Sequence, residues 1–341
     1  MKFKGYKYFC FLFILYGCSE YTEPSNSDET KFKTFLSDNN HGSLVDDVNI
    51  DTIYKPGDAL FESVLLIQRR KLAEAEEELQ PLVEKGDPEA MFWMAKIIYR
   101  SSIKDTPKAL ALLKESANTN PYAAMALFPD NDQCQMYFPS ECSEKWVEQA
   151  KRLFSEDAKK GDVRAIFYMK KLKEDHDVYV EAIIEAANNR YYYPLVQYSN
   201  NILKNEKSNN GMKELAVSLL KVASNNKFVP AIESLMNYKA KLNGINTKSY
   251  NELLNIGLEL GSNSSWERYS TSSVSNKSLT IFDKYVIAKA TYEFNGDDFA
   301  LSFAKPISDK KQLALANKKA QEMVDAVKDV IYIDGAHPRQ D

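Results

Sequence analysis

Three histidines, His41, His176 and His337, stand far apart in a chain of 341 residues, which leaves little material for a histidine-based metal site or catalytic triad. Ser-x-x-Lys occurs at Ser101/Lys104, Ser218/Lys221, Ser224/Lys227 and Ser308/Lys311. In a chain this rich in Ser and Lys such matches arise by chance, and none has the companion motifs of a serine acyl-transfer site. A nucleophile elbow, a His-Glu-x-x-His zinc motif and a phosphate loop are all absent from the sequence. Asp46-Asp47 and Asp297-Asp298 lack the alternating acids, central Gly and distal Glu of a calcium loop, and read as solvated turn residues. No catalytic residue, metal ligand or cofactor is therefore expected, and the chain is read as not an enzyme.

The chemistry that remains is that of thiols and of recognition. Of four cysteines, Cys134 and Cys142 have seven residues between them and no Cys-x-x-Cys spacing or nearby His, so a structural disulfide is expected in an oxidising compartment. The loop is short, and closing it contributes about 2–3 kcal/mol by chain entropy. Arg190-Tyr191-Tyr192-Tyr193 opens a helix near Tyr198. Arg and Tyr dominate interface hot spots, so these four residues are the candidate partner-binding set; the competing expectation packs some of the tyrosines between helices. Trp93, Trp146 and Trp266 sit at helical positions and read as core.

The first residues give an address. Lys2, Lys4 and Lys7 precede the apolar run Phe9 to Tyr16, which is too short to span about 30 Å of hydrocarbon as a helix. A basic start, a short apolar core and a small residue describe an export signal. Leu15-Tyr16-Gly17-Cys18 resembles a bacterial lipobox, with Tyr16 departing from the usual small or branched residue. The resemblance implies cleavage after Gly17, lipid on Cys18, and a membrane anchor whose buried methylenes contribute about 0.8 kcal/mol each. Ser19 then implies sorting to the outer membrane, facing the periplasm. Losing the three leader lysines makes the chain three units more acidic than its formal −4. With charges of both signs interleaved there is no basic footprint for nucleic acid.

Positions 18–57 are rich in Ser, Asn, Asp, Glu and Thr without apolar period, and are expected to form a flexible tether of roughly 35 Å root-mean-square reach, with pieces such as Thr34-Phe35-Leu36 able to dock on the body. From about Ala59 the apolar residues recur at three and four, the period of helices. Gly86-Asp87-Pro88-Glu89-Ala90-Met91-Phe92 parallels Gly161-Asp162-Val163-Arg164-Ala165-Ile166-Phe167. The same frame, an anchor followed four positions later by a small residue or Pro, recurs at Asn120/Ala124, Arg190/Pro194, Lys227/Ala231 and Gly261/Ser265. The six anchors are 34, 41, 29, 37 and 34 residues apart, the period of a helix-turn-helix solenoid rather than of an irregular helical bundle. A left-handed residue closes one helix and Asp or Pro starts the next; the small residue lets the helices approach. No single pair can bury its apolar stripe, so neighbours stack.

Ala90-Met91-x-x-Met94-Ala95-x-x-Ile98-Tyr99 followed by Lys108-Ala109-x-x-Leu112-Leu113-x-x-Ser116-Ala117 resembles the SEL-like repeats, a tetratricopeptide-like family. The family's Gly-x-Gly between helices is replaced by Ser101 to Thr106, and the resemblance covers about residues 73–270. The expected fold is all-α: a solenoid of SEL-like, tetratricopeptide-like helix-turn-helix repeats with a C-terminal helical cap. Its parts are a lipoprotein signal peptide at 1–17, the tether at 18–57, the solenoid at 58–272, and a cap and tail at 273–341. Within the cap, Leu279 to Glu293 and Ser308 to Asp329 read as helices, while 291–303 stays open between helices and a hairpin. The resemblance implies a protein-binding scaffold without cofactor. Some lipoproteins of this family act as immunity proteins that block a type VI secretion phospholipase effector, which makes a secreted effector the implied partner. The alternatives are a cell-envelope enzyme acting on β-lactams or peptidoglycan, and a structural envelope protein with no dedicated client.

Overall fold

The computed structural model describes residues 21–39, 52–101, 103–245 and 247–338. The signal, the lipobox with Cys18, His41 and Asp46-Asp47 lie outside these residues. All regular structure in the described residues is helical. In chain order the helices are α1 (Asp28–Asn39), α2 (Phe61–Gln68), α3 (Leu72–Glu84), α4 (Pro88–Ser101), α5 (Thr106–Ser116), α6 (Pro121–Met125), α7 (Asp132–Tyr137), α8 (Glu144–Lys159), α9 (Val163–Lys171), α10 (His176–Asn188), α11 (Tyr193–Lys204), α12 (Asn210–Asn225), α13 (Val229–Asn243), α14 (Lys248–Glu259), α15 (Asn263–Ser275), α16 (Ile281–Asn295), α17 (Phe299–Phe303) and α18 (Lys310–Asp325). From α2 to α15 each helix packs chiefly on its neighbours in sequence, with short α7 carried in the insertion between α6 and α8, which makes the chain an all-α solenoid of helical hairpins.

Five of the six anchors share one turn construction; Asn120 departs from it, with φ −106°, its amide on Ser116 O four residues back and its side chain capping the next helix. At Gly86, Gly161, Arg190, Lys227 and Gly261 the backbone is left-handed, with φ between 61° and 89°. Each time, the next amide reaches back five residues to a helix carbonyl, as in Asp87 N to Leu82 O at 3.1 Å, Tyr191 N to Ala186 O at 2.8 Å and Ser262 N to Gly257 O at 2.8 Å. This is the Schellman closure that satisfies the last carbonyls of a helix. Arg70, between α2 and α3, adopts the same form with φ 61°, so a further turn of this kind precedes Gly86. The following helix starts on a side-chain cap at Asp87, Asn120, Asp162 and Ser262, or on Pro194 and Pro230. The small residues Ala90, Ala124, Ala165, Pro194, Ala231 and Ser265 are all buried, as close helix approach requires. That approach is tightest at Gly257, where a Cβ would lie 2.0 Å from Ser265 Oγ.

Trp93, Trp146 and Trp266 are core residues. Residues 291–303 form helix ends and a turn rather than a hairpin: Tyr292 and Phe294 lie on α16, Gly296 closes it at φ 74°, and Phe299 starts α17. Helix α18 packs on α16 through Ala316 and Ala320, both fully buried. Cys134 and Cys142 stand with Cα atoms 6.0 Å apart and their sulfurs at bonding distance, in the insertion between α6 and α8.

The segment expected as a flexible tether is not a tether throughout. Helix α1 docks on α10 and α12, with Phe32 and Phe35 buried in the same core as Tyr198 and Ile183. Asp28 anchors it: its carboxylate accepts from Tyr198 Oη at 2.7 Å and Ser25 N at 2.8 Å, and lies 2.9 Å from His176 Nε2. Two aromatic side chains three positions apart supply more buried area than the polar composition of the stretch suggested.

Candidate functional site

The hairpin turns line up along one edge of the array, and the C-terminal segment 327–338 runs across them. Past α18 the chain stays non-helical. Val327 packs against Gly261, and Lys328 N donates to Glu259 O at 2.8 Å. Val330 is buried with Val229, Ile232 and Leu260. Ile331 and Ile333 are buried in the core cluster of the first hairpins. Gly335 lies against the Tyr122 ring so closely that a Cβ would come within 2.4 Å of Cγ. His337 stacks on Tyr193 at 3.8 Å with the planes 5° apart.

The array reads the main chain of this segment. The Gln68 side chain, only 1% exposed, donates from Nε2 to Val330 O and accepts from Tyr332 N, both at 2.8 Å. A buried amide used in both directions mimics a neighbouring strand. Tyr193 Oη donates to Tyr332 O. Side-chain recognition centres on Asp334, 2% exposed, which accepts from the Ala336 and His337 amides at 3.0 and 2.6 Å. Its Oδ1 lies 3.0 Å from His337 Nδ1 and its Oδ2 3.6 Å from Arg164 Nε. Burial works against its charge, yet His337 and Arg164 outweigh that and hold the carboxyl below its ordinary pKa. Arg164 in turn lies over the Tyr191 ring at 4.8 Å.

The same segment helps to close the array. The α2–α3 turn meets the far end of the molecule: Arg70 NH1 pairs with Glu267 Oε1 at 2.5 Å, Asn263 Nδ2 donates to Gln68 O, and Arg69 stands over the Phe294 ring at 5.1 Å while pairing with Asp329 at 2.7 Å. Burying Val330, Ile331 and Ile333 contributes about 1.5–3 kcal/mol each.

Of the residues expected to bind a partner, Tyr191 and Tyr192 are buried between α10, α11 and their neighbours, and Tyr193 is covered by His337 and Tyr332. They do not present a free recognition surface, because the left-handed Arg190 turn folds the three rings inward under the C-terminal segment. Sequence reasoning missed Gln68, Arg164 and Asp334. Gln68 ends an otherwise apolar helix face, and that was the available signal. A groove of about 470 Å³ adjoins His337 and Pro338, with Gln197, Asn200, Ser234 and Asn237 among its lining residues. Among the described residues no group of three or more His, Cys, Asp or Glu could hold a metal, and no helix is long and apolar enough to cross a membrane.

No protein-family profile and no curated protein matches this sequence. The structure is similar to the crystal structure of c5321, a protective antigen present in uropathogenic Escherichia coli strains displaying an SLR fold, with 12% sequence identity and a TM-score of 0.41. The match covers 80% of this chain and spans 62% of the length of that one.

Proposed function

We propose that the protein is a non-catalytic scaffold that binds another protein through its hairpin array. The observation that carries this reading is the edge of aligned turns, where the side chains of Gln68 and Tyr193 hold the main chain of an extended segment. The acid and base groups His176 and Glu89 are engaged in holding chain segments together. His176 has Nδ1 2.8 Å from Tyr21 O and Nε2 on Asp28, and Glu89 accepts from Tyr54 Oη at 2.5 Å.

In this reading the chain is carried to the periplasmic face of the outer membrane by lipid on Cys18, and its client is a secreted effector, with immunity against a type VI secretion phospholipase as the specific role. The lipobox-like residues support the anchor, and the SEL-like repeat frame supports the client class. The full-length tagged protein, purified from a membrane extract, is expected to enrich one protein partner stoichiometrically; an extract that yields none contradicts the scaffold. Cys18→Ser is expected to leave folding intact and release the protein from membranes. Hydrolysis of a penicillin reporter by the purified protein would instead favour the envelope-enzyme reading.

A further inference from the structure

We propose that the C-terminal cap carries a lipid-facing contact, in which the exposed side chains of Ile281, Phe299 and Phe303, with the free lysines Lys305, Lys310 and Lys311 that follow them, rest on an anionic phospholipid surface. The inference stands apart from the scaffold reading and from the lipid on Cys18.

The apolar part lies where a repeat array should close. Terminal units of a solenoid need a polar outer face, yet Ile281, Phe299 and Phe303 are 53, 47 and 62% exposed. The two phenylalanines come from one turn of short α17, and their rings lie 5.1 Å apart. A groove of about 250 Å³ adjoins Phe303, with Val274, Leu279, Ile281, Ala300 and Lys305 also in its lining. That lining offers little directional pairing, because Ser273 Oγ already donates to Ser270 O and Lys284 Nζ to Val274 O. Protein interfaces carry about one hydrogen bond per 100–200 Å². An acyl chain needs none.

Charge selects the occupant. Residues 299–319 hold five lysines and one acid, in a chain of formal charge −4. That acid, Asp309, caps α18 by accepting from Gln312 N, and Asp297 accepts from Phe299 N, which leaves Asp298 as the exposed acid just ahead of the rings. Lys318 pairs with Glu322, and Lys319 lies over the Phe282 ring. Lys305, Lys310 and Lys311 are exposed and make no ion pair among the described residues. Lys310 and Lys311 also open α18, at the end of a helix that disfavours cations. Phosphate headgroups supply the missing counter-charge, and aromatic rings beside lysines suit the boundary between headgroups and acyl chains. A second copy of the chain would instead set these lysines against their own equivalents.

The test floats the full chain carrying Cys18→Ser, which removes the lipid attachment point, with vesicles of equal parts phosphatidylglycerol and phosphatidylcholine at low salt. The expected result is retention that phosphatidylcholine alone does not give. Added salt abolishes it, in keeping with release of Cys18→Ser from membranes at cellular ionic strength. Lys305→Gln/Lys310→Gln/Lys311→Gln is expected to weaken retention about fivefold per lysine. Phe299→Ser/Phe303→Ser is expected to abolish it with helical circular dichroism unchanged. Equal or absent retention on the two vesicles, or retention that neither set of substitutions changes, overturns the proposal. A dimer in sedimentation equilibrium that Phe303→Ser dissolves also overturns it, because the rings then belong to a second copy. So does an acidic protein whose capture needs the rings while the vesicles are ignored. Vesicle retention without an enriched protein partner keeps this inference and removes the scaffold reading; the reverse keeps the scaffold and removes this inference.

Discussion

Tyr332 N donates to Gln68 Oε1 at 2.8 Å across 264 positions of sequence, and Gln68 Nε2 returns the contact to Val330 O. One buried side chain thereby ties the first hairpins of the array to its last segment. Gln68→Ala leaves two buried main-chain groups unpaired, each worth about 1–3 kcal/mol. The expected loss is about 2–4 kcal/mol in urea-induced unfolding, whereas an exposed glutamine such as Gln321 changes stability by less than about 0.5 kcal/mol.

Gly335→Ala places a methyl group 2.4 Å from the Tyr122 ring, so the C-terminal segment cannot seat fully. Overpacking of this kind costs about 1–3 kcal/mol. The loss should appear together with faster hydrogen exchange confined to residues near 330–338, while Gly211→Ala, whose Cβ meets nothing nearer than Asn209 Oδ1 at 3.4 Å, leaves that region unchanged.

His176 links the N-terminal helix to α10 through contacts to Asp28 and the Tyr21 carbonyl. The charged groups around it are the buried Asp28 and, at the surface, Asp177 and Lys31, which pair with each other. Burial pulls the imidazole pKa down, but the Asp28 carboxylate and Tyr21 carbonyl outweigh it and raise the value above the ordinary one. Both ring nitrogens face acceptors, so the doubly protonated ring satisfies both. A raised folded-state pKa means that the stabilisation is complete below about 6.5 and is lost as pH rises through the folded value. Amides of residues 28–39 are therefore expected to exchange faster, relative to intrinsic rates, as pH rises through that value. In His176→Gln the pH dependence should disappear; if it persists, another group controls the docking.

Reduction of the Cys134–Cys142 pair reopens a short loop between α6 and α8. The expected loss is about 2–3 kcal/mol, read as a lower thermal midpoint in reductant, with Cys142→Ser insensitive to reductant.

The repeat frame was legible because it rests on local rules. Gly86, Gly161 and Gly261 announce left-handed turns, and the small residue four positions on announces close packing. Arg190 and Lys227 take the same conformation without being Gly, and only their spacing betrayed them. What escaped was set by distance and by shape. For residues 330–338 the sequence says locally only that the chain cannot stay helical past Gly335, since their partners Gln68, Tyr122, Arg164 and Tyr193 lie 139 or more positions away. That Thr34-Phe35-Leu36 could dock was legible, but α1 has a weak stripe, Phe32 and Phe35 amid polar residues, so the place it takes shows only once α10 and α12 are in position. The tyrosines at 191–193 had the composition of an interface, but the Arg190 turn buries them under the chain's own C-terminal segment.

The placement of that segment is tested most directly by hydrogen exchange at the Tyr332 amide in the full-length protein. Its bond to a buried Gln68 predicts protection comparable to the amides of α11 and α13, reduced by the Gln68→Ala substitution. Exchange as fast as in an unstructured peptide, unaffected by that substitution, would place the segment outside the array and contradict the account.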